Sequence, residues 1–457
     1  MIVSRNPATG ETLVRVDAHD ASIIEQRLAR AHAAQKNWAQ VPLCDRAVVL
    51  QRVAQELRQL KDDLARTITL EMGKPFAESI AEVEKCAWNF DHYADAATAM
   101  LADEIVPSGA SDSRIVHDPL GLVLAVMPWN YPLWQVLRAA APILVGGNGL
   151  VLKHASNVPQ CALAIEALCR RAGLPDGLVT ALLVGAERVP ALIADDRISA
   201  VTFTGSTPAG RSIAAAAGQS LKKQVLELGG SDPFIVLADA EIETAAAIAV
   251  KARFQNTGQS CIAAKRFIVE QPVADRFVEA FCEHVRKLVV DDPLKAGTTQ
   301  GSMARTSLRE ELDVQVRASI QEGARLLLGG RPVPGPGAFY EPTVLDHMRP
   351  EMTAAREETF GPAAAIIRVR DADEALLVAN GTPFGLGAAV WTTDLDRAAR
   401  LARKVDAGAV FVNGLVASDP RLPFGGIKAS GYGRELGRLG LLEFMNAKTV
   451  WTGPARA

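Results

Sequence analysis

A doubly wound α/β fold is what this sequence predicts, on three observations. From Gly121 onward, strand-like and helix-like segments alternate, the order that builds a parallel sheet covered by helices. The first strand of that series, 122–127, reads Leu-Val-Leu-Ala-Val-Met, a continuous apolar run of the kind buried on both faces. At 457 residues the chain exceeds what one hydrophobic core usually supports, so two or more domains are expected.

The elements follow in order. Apolar residues at Ile24, Leu28, Ala31 and Ala34 predict a helix over 21–38. Leu50, Val53, Leu57, Leu60 and Leu64 extend the same period over 46–70, and a third helix is expected over 76–101. The polar, β-like stretch 105–119, turning at Ser108-Gly109, reads as a hairpin. The alternating series then runs through strands near 122–127, 150–153, 179–184, 198–204 and 224–228. Its helices lie at 133–145 and 160–171, with another starting at Pro208. A second α/β series opens near Pro233, with helices at 242–254, 274–288, 307–321, 372–379 and 395–404 and strands at 388–392 and 409–412. The Gly- and Pro-rich stretch 329–337 is a surface loop, and 443–452 is extended.

Composition excludes several function classes. The formal net charge is −3 and basic residues are scattered, which gives no reason to expect a nucleic-acid or anionic-membrane partner. Apolar stretches are broken well short of a membrane span, and no apolar run follows a basic start at the N-terminus. The six cysteines form no CxxC pair and no zinc spacing, so no metal site is expected. Dispersed thiols in a long chain fit a reducing cytoplasm.

Four segments carry chemistry. Cys261, in Gly-Gln-Ser-Cys-Ile, follows a predicted helix. A free Cys is commonly a small buried hydrophobe, but the glycine and polar neighbours here suit an accessible thiolate. Glu227, in Leu-Glu-Leu-Gly-Gly, ends a strand between two leucines, where desolvation raises a carboxylate toward a useful general base; a salt-bridged strand-end Glu is the bland alternative. Asn130, in Pro-Trp-Asn-Tyr-Pro, lies beyond the carboxyl end of a parallel strand, where ligands bind, and its amide suits a developing oxyanion as well as an Asx turn. In Phe-Thr-Gly-Ser-Thr-Pro, Gly205 permits close backbone approach and the amides after Ser206 can hold a pyrophosphate. Neither GxGxxG nor the P-loop pattern is present.

Together these segments, with LKHAS, EETFGP and PFGGIKASGYGRELG, stand in the order found in the aldehyde dehydrogenase superfamily, which the chain resembles over essentially its whole length. VLELGGSDPF, QNTGQSCIAAKRF, SDPRLPFGGIK and EFMNAKTVW are most similar to its bacterial succinate-semialdehyde branch. The resemblance implies Cys261 as nucleophile, Glu227 as general base, and Asn130 with the Cys261 backbone N–H as oxyanion hole. It implies that Trp129, Lys153, Ser156, Gly205, Ser206, Glu358 and Phe360 bind NADP or NAD. Strongly NAD-selective relatives carry Glu where this chain has Ser156, so NADP is expected to be favoured. The implied fold has a cofactor domain (1–100 and 120–229), a catalytic domain (230–440) and a small β oligomerisation element (101–119 and 441–457), assembled as a homodimer or homotetramer.

The substrate implied is succinate semialdehyde, oxidised to succinate. Arg138, eight residues beyond Asn130, stands where many relatives have an apolar wall; with Ser418 it is expected to hold the substrate carboxylate, unless it serves a salt bridge on a helix face. Gln255 departs from relatives that carry a second arginine there. Alternatives are another ω-carboxy or aliphatic aldehyde such as glutarate semialdehyde, a CoA acceptor, against which Glu227 argues, or a silent binding protein on the same fold.

Overall fold

The computed structural model describes residues 1–453. Two large, mostly parallel sheets dominate it. The first has six strands in the order Gly431–Tyr432, Lys223–Glu227, Ile198–Thr204, Leu122–Met127, Gly149–His154 and Val179–Ala181, parallel except at the Gly431–Tyr432 edge. The second has seven: Arg325–Leu328, Thr343–Asp346, Ala363–Val369, Ala264–Glu270, Asp232–Val236, Gly387–Trp391 and Ala409–Val412, parallel except at the first pair. Leu122–Met127 is buried along its whole length at the centre of the first sheet, as its apolar run requires. The doubly wound α/β reading therefore holds.

The 46–70 pattern splits into two helices, Leu43–Gln59 and Lys61–Met72, with a break at Leu60 (φ −95°, ψ 12°). Both halves pack on the helix Phe76–Met100, and the bend lets each present its apolar stripe to that one partner. The hairpin expected at 105–119 forms from Glu104–Ile105 and Asp112–Pro119, and Met445–Thr452 pairs antiparallel with the latter to make a three-stranded sheet. Residues 454–457 of the expected C-terminal element lie outside the described residues. An N-terminal hairpin, Ile2–Arg5 with Thr12–Val16, and the strands Ala264–Glu270, Arg325–Leu328, Thr343–Asp346 and Ala363–Val369 were not anticipated by the pattern. Among the described residues no helix is long and apolar enough to cross a membrane, and no group of three or more His, Cys, Asp or Glu gathers as metal ligands.

Several of the expected site residues fall at the carboxyl edge of the first sheet. Glu227 ends Lys223–Glu227, Lys153 lies near the end of Gly149–His154, and Asn130 and Ser206 follow Leu122–Met127 and Ile198–Thr204. Cys261, Glu358 and Phe360 come from the second series, on the loops that enter Ala264–Glu270 and Ala363–Val369.

Candidate active site

The loop carrying Cys261 has an unusual backbone. Asn256 (φ 55°), Thr257 (φ 55°) and Gly258 (φ 71°) are all left-handed in succession. For a β-branched residue such as Thr257 that conformation is costly and persists only when neighbours over-determine it. They do. The Asn256 side-chain amide donates to the carbonyls of Asn130 (2.9 Å) and Gln259 (3.0 Å), and its backbone N–H donates to Glu78 (2.8 Å). Buried Lys265 donates from Nζ to the carbonyls of Ser260 (3.0 Å) and Cys261 (2.8 Å). Asn130 completes the network by donating from Nδ2 to the Gln259 carbonyl at 3.0 Å. This fixes the Asn130 amide beside the nucleophile loop, while the Cys261 backbone N–H finds no acceptor among the described residues. Such a pair of donors is what an oxyanion needs.

The Cys261 thiol is half-buried. Burial pushes it up to about 12; Arg138 and Lys265 pull it back, while Glu227 and Glu358 push it further up. Glu227 is buried, and neither carboxylate oxygen has a hydrogen-bond partner among the described residues. Gly425, at φ +154°, leaves it room: a Cβ there would lie 2.7 Å from Glu227 Oε1. Desolvation first, and the nearby Glu435 carboxylate second, hold Glu227 well above the usual carboxylate range. Glu435 in turn pairs with Arg138 and accepts from Thr202 Oγ1 at 3.3 Å. One guanidinium thus faces two carboxylates and is in ion-pair contact with Glu435, which leaves the Glu227 carboxyl the less compensated of the two. A buried carboxyl raised above the usual carboxylate range is suited to general-base work.

A cavity of 750 Å³ opens onto Cys261. Arg138, Ser418 and Gln255 line it, as do Trp134, Phe424 and Lys85. Arg138 faces the cavity and is at the same time committed to an ion pair. It pairs with Glu435 and lies 4.8 Å over the Phe424 ring, yet its Nη2 has no hydrogen-bond acceptor among the described residues. Gln255 donates to the Tyr131 hydroxyl at 3.1 Å. Ser418 accepts from Lys85 Nζ at 2.8 Å.

On the other side, the donors fit a dinucleotide. Ser206 is the N-cap of Thr207–Gln219 but makes no capping bond, so the first-turn amides of that helix stay open. Thr204 Oγ1 is buried without a partner among the described residues, and a Cβ at Gly205 would strike the Phe203 ring at 2.5 Å. Lys153 is mostly buried, with the Glu187 carboxylate acting on its charge, and Ser156 is exposed nearby in sequence. Glu358 accepts from Gly230 N–H at 3.0 Å and lies 3.6 Å from Lys265; a Cβ on Gly229 would collide with it at 2.2 Å. Phe360 meets Trp129 edge-on, with centroids 5.7 Å apart.

Sequence pattern alone did not single out Lys85, Glu435 or Lys265. Glu435 lies inside the GYGRELG segment, so its signal was available; Lys85 is the single lysine of the helix Phe76–Met100, stands in none of the motif segments and carries none.

These features coincide with a family match. A model described as the aldehyde dehydrogenase family matches residues 1–450. The chain belongs to the aldehyde dehydrogenase family. A probable succinate-semialdehyde dehydrogenase [NADP(+)] of Synechocystis sp. is 49% identical over 450 residues, 98% of this chain and 99% of that one. A succinate semialdehyde dehydrogenase [NAD(P)+] of Escherichia coli is 48% identical over 449 residues, 98% of this chain and 97% of that one. Among solved structures, succinic semialdehyde dehydrogenase from Streptococcus pyogenes in complex with NADP⁺ is similar at a TM-score of 0.97 and 36% identity, covering 99% of this chain and all of that one. As an aldehyde dehydrogenase, the chain has the expected α/β fold.

Proposed function

We propose that this aldehyde dehydrogenase oxidises succinate semialdehyde to succinate, with NADP⁺ favoured over NAD⁺. The observation that carries the reading is the Cys261 thiol opening onto a cavity walled by Arg138 and Ser418, groups that suit a carboxylate at the far end of the aldehyde. The names of the similar proteins agree with that substrate and with use of NADP⁺.

When bound, the nicotinamide dinucleotide supplies the hydride acceptor; Ser206 with its helix amides, Lys153, Ser156, Glu358, Phe360 and Trp129 are the residues that would hold it. Cys261 gives up its thiol proton to water, favoured by Arg138 and Lys265, and its sulfur adds to the aldehyde carbon. Asn130 Nδ2 and the Cys261 N–H stabilise the resulting oxyanion. After oxidation the acyl group is a thioester on Cys261. Ionised Glu227 takes a proton from water, which attacks the thioester and frees the acid and the thiol. Residues 1–100 with 120–229 and residues 230–440 serve as cofactor and catalytic domains. Exposed Ile105, Val450 and Trp451 on the three-stranded sheet support pairing of copies through 101–119 and 441–457.

Steady-state reduction of each cofactor with succinate semialdehyde, glutarate semialdehyde and butanal tests this. Succinate semialdehyde should give the highest kcat/KM, with NADP⁺ at least equal to NAD⁺. Faster use of butanal would overturn the substrate, and a strong NAD⁺ bias the cofactor.

A further inference from the structure

Lys85 projects from the helix Phe76–Met100 into the cavity that holds Cys261. Its ammonium donates to Ser418 Oγ at 2.8 Å and sits 4.5 Å over the Trp134 ring. It has no carboxylate within salt-bridge distance among the described residues, although two acidic groups are close enough to act on its charge. Both are already engaged. Glu82 pairs with buried Lys74 and accepts from the backbone N–H groups of Leu133 and Trp134, each at 2.9 Å. Asp419 accepts from the backbone N–H (2.9 Å) and guanidinium (2.6 Å) of Arg421. The other cation on this wall, Arg138, is in ion-pair contact with Glu435. The cavity therefore contains a partly desolvated ammonium with a free proton and no counter-ion, next to a hydroxyl already oriented by it. The Trp134 face offsets part of its desolvation, but a partly buried ammonium without a counter-ion remains costly to keep unless an anion visits it.

We infer that Lys85 is the residue that reads the carboxylate of the ω-carboxy aldehyde, with Ser418 as its hydrogen-bonding companion and Arg138 as a secondary contributor. The inference rests on the substrate reading above and assigns its specificity to a side chain on a different helix from Arg138. Gln255 is then no loss, because the second positive charge enters from Lys85.

The environment also gives a pH signature. Desolvation, and then Arg138, lower the Lys85 ammonium to about 8, against the opposing pull of Cys86, Asp419 and Glu82. As pH rises through that value, the free enzyme loses the charge that attracts the carboxylate. The ratio of kcat/KM for succinate semialdehyde to that for butanal should fall, and dividing by the butanal value cancels ionisations common to both substrates.

The test is steady-state kinetics of the full chain with NADP⁺, comparing wild type, Lys85→Met and Lys85→Arg on the two aldehydes. Loss of one partner of a desolvated charge pair predicts a fall of about 30-fold or more in kcat/KM for succinate semialdehyde in Lys85→Met, mainly through KM. Butanal oxidation should fall far less, which also reports that the variant is folded. Lys85→Arg should recover most of the preference, and the pH dependence of the ratio should flatten in Lys85→Met. Equal losses on both aldehydes, or a preference and pH profile retained in Lys85→Met, would overturn the inference alone. A wild type with no preference for succinate semialdehyde over butanal would overturn the substrate reading and this inference together.

Discussion

The two sides of the catalytic cleft are built in different ways. Asn130, Lys153, Ser206 and Glu227 stand at or just beyond the carboxyl ends of neighbouring parallel strands, a rigid edge whose spacing is set by the sheet ladder. Cys261 and Glu358 ride on loops held by buried cations and side-chain amides, with two non-glycine residues in left-handed conformations. The difference teaches where precision comes from. Regular hydrogen bonding delivers it on one side; on the other, a few polar contacts must hold a strained turn in place, so single substitutions there should have a disproportionate effect on rate.

The largest effect expected is on the loop side, at the nucleophile. Cys261→Ala should cut turnover to below about a thousandth of wild type, as removal of a covalent nucleophile does. NADP⁺ affinity, measured by fluorescence titration, should stay near wild type. Substantial residual oxidation would remove Cys261 from the chemistry.

On the sheet side, Glu227→Gln should lower steady-state turnover by about 10²- to 10⁴-fold, the usual range for a general base. Stopped-flow traces should still show a burst of reduced cofactor, because the base is needed only to hydrolyse the thioester. In wild type, the raised Glu227 makes the hydrolytic step accelerate as pH rises, since only the ionised carboxylate takes a proton from water. Unchanged turnover in the variant would make Glu227 structural.

Asn256→Ala sharpens the contrast itself. It deletes the bridge from the strained turn to Asn130 and Gln259, and a nucleophile displaced by a fraction of an ångström should lose about 10²-fold in kcat with little change in cofactor binding. If kcat were retained, the turn would hold its shape without that amide. The smallest effect expected is Ser156→Glu at the sheet edge. A carboxylate there should repel a 2′-phosphate and shift the NADP⁺ to NAD⁺ ratio of kcat/KM by about tenfold or more toward NAD⁺. An unchanged ratio would place cofactor choice elsewhere.

The same contrast governs what could be read without coordinates. The strand ends were legible because an apolar run such as Leu122–Met127 fixes both a buried strand and the place where its following residues emerge. The helix Ile242–Phe254 was legible from its period for the same reason. The strand Ala264–Glu270 was not, because Lys265 and Arg266 interrupt its apolar character. In the fold both are buried and satisfied by main-chain carbonyls, of Ser260 and Cys261 for Lys265 and of Ser231, Val378 and Ala379 for Arg266. The hairpin Ile2–Arg5 with Thr12–Val16 is short and mostly not deeply buried, so its pattern is faint. Lys85 looks like any solvated helix lysine until the fold turns it toward Ser418, and the ion pair of Arg138 with Glu435 joins residues 297 positions apart.

The neutral state of Cys261 bears on how such a protein survives between turnovers. Peroxides and stray electrophiles attack thiolates, and oxidation beyond the sulfenic acid cannot be undone for most cysteines. Burial pushes the Cys261 thiol up to about 12, which disfavours the thiolate while the site is empty. The same desolvation that makes the nucleophile harder to ionise thus also slows the reactions by which oxidants would consume it between turnovers.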